Sequence, residues 1–87
     1  MKKAEFIKSL GGSWNGDARL YKLTPPLDGA EYVVVSAVVP FFSGPETYIF
    51  PSNKKGEVES WMEEMEGSFR GALDHVEALG NAGYEVV

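Results

Sequence analysis

Cysteine is absent from the 87 residues. Disulfide staples, thiolate metal sites and a cysteine nucleophile are therefore excluded. Histidine occurs once, at His75, so a general base or metal site there needs partners from elsewhere in the chain. Long hydrophobic runs are missing as well: nothing approaches the ~20 apolar residues of a membrane-spanning helix. After Met1-Lys2-Lys3, only Phe6, Ile7 and Leu10 are large and apolar before Gly11-Gly12, which is not a signal-peptide core. These absences predict a cytoplasmic protein with no membrane contact, no metal and no cofactor.

Basic charge is scarce. The net charge is −5, and residues 46–87 hold nine of the thirteen acidic groups against three of the eight basic ones. Grip on a phosphate backbone comes mostly from Lys and Arg, so nucleic-acid binding is disfavoured. A basic partner surface suits the chain better, although a few net charges also serve plain solubility. The hydrophobic fraction of 44% and charged fraction of 24% are those of a globular protein, and the length predicts a single domain over residues 1–87.

Pattern divides the chain in two. The segment Ala4 to Leu10 fits either a strand or a short helical face. Asn15-Gly16 is a tight-turn signal, because both residues tolerate positive φ. The run Ala18 to Leu23 alternates as a half-buried strand, with Ala18, Leu20 and Lys22 on one side and Arg19, Tyr21 and Leu23 on the other. Thr24-Pro25-Pro26 is expected to end it, and Asp28-Gly29 is a second turn signal. From Glu31 to Val39 five of nine residues are valine, as in a central strand covered on both faces. Glu46 to Phe50 predicts a third strand, antiparallel to the second.

After Pro51 the period changes to that of a helix. Val58, Trp61, Met62 and Met65 fall at i, i+3, i+4 and i+7. A second helix is expected from a Ser68 cap through Phe69, Ala72, Leu73, Val76, Leu79 and Ala82 to a Gly83 stop. Tyr84 to Val87 predicts a last strand. The expected fold is therefore α+β: an antiparallel three- to four-stranded sheet packed against one or two C-terminal helices, in the order β-β-β-α-α-β.

No catalytic constellation is present. The glycines from Gly11 to Gly16 lack the order of a phosphate loop, and no serine sits in a nucleophile elbow. Asp17, Arg19, Arg70, Asp74 and His75 form an enzymatic or small-ligand site only if the fold gathers them. On a helix, His75 and Asp74 diverge by about 100°. The glutamates between Glu57 and Glu66 are either a solvated face or a mimic of nucleic-acid charge. The candidate partner-binding residues are Trp14, Phe41 and Phe42, as aromatics in loops, and Glu59, Glu63 and Glu64, as acidic groups. The competing role for the aromatics is core packing, since small domains need every large side chain. Self-association is left open.

Two stretches carry a resemblance. One is Trp14-Asn15-Gly16-Asp17-Ala18-Arg19-Leu20-Tyr21 with Pro25-Pro26. The other is Ser43-Gly44-Pro45-Glu46-Thr47-Tyr48-Ile49-Phe50-Pro51 with Gly67-Ser68-Phe69-Arg70-Gly71 and Asp74-His75. Together, from Trp14 to Tyr84, the chain resembles a group of small uncharacterised proteins of actinobacteria and their phages. The resemblance implies a bacterial host cell as the setting and brings no activity with it. The function expected from all this is a binding protein that acts by contact with a host protein.

Overall fold

The computed structural model describes residues 2–13, 16–39, 44–59 and 64–87, with the side chains of 11–13 and 16 left aside. Six strands form one sheet: β1 (Lys3–Ser13), β2 (Gly16–Leu27), β3 (Ala30–Val38), β4 (Glu46–Ser52), β5 (Phe69–Arg70) and β6 (Glu85–Val86). Their order across the sheet is β5-β4-β3-β2-β1-β6. All neighbours run antiparallel except β1 and β6, which are parallel. The one helix among the described residues is α1 (His75–Asn81).

This corrects the expected α+β fold of a three- to four-stranded antiparallel sheet packed against one or two C-terminal helices in the order β-β-β-α-α-β. The sheet is six-stranded, mixed and curled, and among the described residues a single seven-residue helix accompanies it. The stripe Val58 to Met65 has helical period, yet the described parts of that segment lie along β4. Val58 bridges Ser52, Glu59 N–H donates to Pro51 O at 2.9 Å, and Met65 N–H donates to Ile49 O at 2.8 Å. A lone helical stripe of this length is marginal in water, and pairing with an edge strand satisfies the same backbone groups.

Ser68 does not cap a helix. Its hydroxyl accepts from Ile49 N–H at 2.9 Å and donates to Met65 O at 2.8 Å. Gly71, at φ 116°, bars a helical path from Phe69 to His75. The helix therefore starts later, capped by Asp74, whose carboxylate accepts from Glu77 N–H at 3.0 Å. Gly83 is the left-handed stop that the sequence indicates, at φ 92°.

The ambiguous first segment is a strand. Gly11-Gly12 does not break it; the ladder to β2 instead shifts register between Ser9 and Gly12 and again between Phe6 and Lys8. Nor does Pro25-Pro26 end β2, because the prolines fall in a gap in the ladder between Lys22 and Leu27, where no donor is required. Asp28 and Gly29 turn the chain with φ of 48° and 85°, the geometry of a tight two-residue hairpin.

Both faces of the sheet are buried. On the first face Ala78 and Leu79 of α1, with Ala82 just after it, share a core with Tyr21, Leu23, Val33, Val35 and Ile49, and His75 is buried at the start of the helix. On the second face Ala18, Leu20 and Val34 form a smaller core with Leu10, Tyr32 and Val58. The alternation along β2 sorts its side chains between these faces as the sequence indicates, but the strand is covered on both sides rather than one. Curling explains the cover. In a flat sheet β1 and β4 stand three spacings of ~4.8 Å apart. Here the loop after β4 reaches across to β1: a methyl group built on Gly56 comes within 2.8 Å of Leu10 Cδ2.

Candidate functional site

Three features have the character of a site: two polar clusters at one end of the sheet, and the outer edge of β1.

The first cluster joins the starts of β2, β4 and α1. His75 is buried, and its Nε2–H donates to the carbonyl of Asp17 at 2.8 Å, since a carbonyl only accepts. The Asp17 carboxylate lies 4.0 Å from the same nitrogen and 3.1 Å from Arg19 Nη2. Hydrogen bonding to Tyr21 first, and the Asp17 charge after it, hold the Arg19 guanidinium above its ordinary pKa. Thr47 Oγ1 donates to Ala72 O at 2.8 Å and accepts from Asp74 N–H at 3.1 Å. The fold thus brings Asp17, Arg19 and His75 together, while Asp74 is spent on capping. His75 uses its buried nitrogen to tie α1 to β2, which is the work of a fastener.

The second cluster lies on the opposite face, at the β4–β5 edge. Glu46 is buried, accepts from the Tyr48 hydroxyl through a short hydrogen bond, and accepts from Arg70 Nε–H at 2.8 Å. Arg70 stacks 5.9 Å from the Tyr48 ring centre and reaches Glu64 at 3.8 Å. The Tyr48 hydrogen bond first, and Arg70 after it, hold the Glu46 carboxyl below the ordinary range. Burial first, and Glu46 after it, raise Tyr48. Glu46 likewise raises Arg70. Every partner of the buried carboxylate is supplied internally, so this cluster secures β5 to β4. Arg70 therefore does not join Asp17 and His75; β5 carries it to a different face.

A comparable tie closes the other end. The buried Tyr84 donates its hydroxyl to Pro25 O through a short hydrogen bond, with Lys2 Nζ 5.5 Å from its ring centre. Burial first, then the Asp28 and Glu66 charges, raise its pKa.

The third feature is the outer edge of β1. β6 covers this edge only at Lys3 and Ala4. Ala4 O accepts from Val87 N–H at 3.0 Å, so Ala4 presents its backbone away from β2. Two residues on, before the first register shift, Phe6 presents its N–H and carbonyl in the same direction. Among the described residues no strand lies beside it there. Here the surface is also apolar: Phe6 is 47% exposed and Ile7 40%. The Phe6 ring stands edge-on to buried Tyr21, with centroids 5.7 Å apart. Lys3, Glu5 and Lys8 flank it, all exposed.

The candidate partner-binding residues from the sequence are scattered. Trp14, Phe41, Phe42 and Glu63 lie outside the described residues. Glu59 is exposed on the segment bonded to Pro51, and Glu64 is exposed beside Arg70. Of the other acidic residues, Glu57 is tied to Asn53 at 2.9 Å. Phe6 and Ile7 were not among the candidates. Their signal was two adjacent large apolar residues between lysines in a segment with no settled period. Among the described residues, no helix is long and apolar enough to cross a membrane. Comparison with protein-family models, with curated proteins and with solved structures gives no match.

Proposed function

We propose that this chain is a protein-interaction module whose contact surface is centred on Phe6 and Ile7 of β1. The observation that carries this is their exposure on a strand edge that β6 leaves open beyond Ala4. Both polar clusters satisfy themselves internally, whereas at Phe6 the β1 edge offers backbone that no strand among the described residues pairs, next to apolar side chains. That combination favours protein partners, because main-chain pairing supplies affinity and flanking side chains supply selectivity. The resemblance to proteins of actinobacteria and their phages points to a protein of a bacterial host cell as the target.

A photo-crosslinking residue placed at Ile7 tests this in actinobacterial lysate, with circular dichroism showing the variant folded. The expected result is a covalent protein adduct at Ile7 that is lost when the same residue is placed at exposed Glu31. Equal labelling from both positions, or none from Ile7, would contradict the proposal.

A further inference from the structure

We infer that the β1 edge takes up its partner as an added strand, and that the incoming segment carries acidic residues beside its apolar ones. This rests on the protein-interaction proposal above and specifies its mode and chemistry.

The mode follows from backbone direction. Phe6 aims its donor and acceptor outward, directly beyond the point where β6 already pairs with the same edge. An incoming strand continues a row of bonds that β6 has begun, in line with Val87. Such edges are hazards that proteins guard with charges and bulges. Both guards are present: the register shifts after Phe6 and after Ser9, and Lys8 beside them. A guarded edge does not need exposed phenylalanine and isoleucine. Their presence beside the guards marks this stretch as one meant to be covered by a selected strand.

The chemistry follows from charge. Residues 1–13 hold three lysines and one glutamate in a chain whose net charge is −5; β6 sets Glu85 opposite Lys3, so the charge of the stretch beyond β6 is that of Lys8. Lys8 would lie near its own copy in an antiparallel pairing of two β1 edges about their middle, which disfavours self-association there. An acidic residue across from Lys8 is favoured instead, and the remainder of the molecule repels acidic segments that arrive elsewhere.

The apolar surface beside the edge gives the strand somewhere to rest. Phe6 shares a face with its ladder partner Tyr21, the face on which α1 lies. The main neighbours of α1 are β6, β4 and β3, so Phe6, 47% exposed, lies at the uncovered margin of that face.

The test is an NMR titration of the isotope-labelled protein with two synthetic eight-residue peptides, one alternating valine and glutamate, the other valine and lysine. The expected result is chemical-shift change centred on Phe6–Lys8 with the glutamate peptide, and binding at least about threefold weaker with the lysine peptide, the scale of a single cross-strand charge pair. Lys8→Glu should reverse the preference. Phe6→Ala, which keeps the outward N–H, should retain weak binding, and Phe6→Pro, which removes it, should abolish binding while the thermal transition shows both variants folded. If neither peptide shifts β1 while Ile7 still crosslinks to a protein, the added strand is overturned and the interaction module survives. If neither peptide binds and Ile7 does not crosslink, both fail. Equal binding of the two peptides overturns the acidic character alone. Concentration-dependent dimerisation through β1 would show a second copy to be the occupant and overturn the inference.

Discussion

Replacing Gly67 with alanine is expected to destabilise the fold by about 2–4 kcal/mol, through left-handed backbone strain and overpacking together. Gly67 sits at φ 103°, and a methyl group there collides with the carbonyl oxygen of Ala78 and meets both Ala82 Cβ and Ile49 Cδ1 at 3.0 Å. The carbonyl belongs to helix backbone and cannot turn aside. To admit the methyl, α1 must lift from the turn after Met65, and the ties through His75 and Thr47 resist that. A loss of this size lowers the Tm of a domain this small by roughly 10–25 °C. Gly71→Ala is the comparison, because φ there is 116° but nothing lies within 4 Å. It should cost only about 1–2 kcal/mol, the backbone part alone. Equal Tm losses for the two variants would show that α1 does not pack on Gly67.

Leu20→Ala is expected to cost about 2–5 kcal/mol, as much as Leu79→Ala. Both side chains are fully buried, but they belong to different cores on opposite faces. Because the two residues share no core, their effects in the double variant should add to within about 0.5 kcal/mol. Urea denaturation of the three variants measures this. A cost below about 1 kcal/mol for Leu20→Ala would mean that the second face is open to solvent, since exposed positions tolerate such changes.

The strands were legible wherever local chemistry settled them. Five valines between Glu31 and Val39 require cover on both faces, and β3 is central with Val33, Val34 and Val35 buried. Asp28-Gly29 predicted its hairpin because few residues adopt positive φ. The helices were misread for a physical reason. Ser68 through Ala82 has the right spacing for one helix, but Gly71 bends the chain and Phe69-Arg70 is taken as a strand by β4. Tertiary pairing overrides a weak local preference in segments this short.

The site was harder to see. Asp17 and His75 stand among five polar residues that only the fold can gather, and they meet through the Asp17 carbonyl. Buried Glu46 was invisible, since its partner Arg70 stood in a predicted helix rather than on the neighbouring strand. Phe6 and Ile7 gained meaning only from sheet order: whether β1 is an edge, and how far β6 covers it, depends on a contact with residues more than eighty positions away. No local pattern encodes that.

Amide hydrogen exchange of the free protein, at a concentration where it is monomeric, tests the open edge most directly. The Phe6 amide should exchange at nearly the rate of an unstructured chain, while the Val34 amide in the middle of β3 should be protected by many orders of magnitude, because only global unfolding exposes it. Phe6 protected to the degree of Val34 in the free monomer would show the edge already occupied, and the proposed contact surface would have no basis.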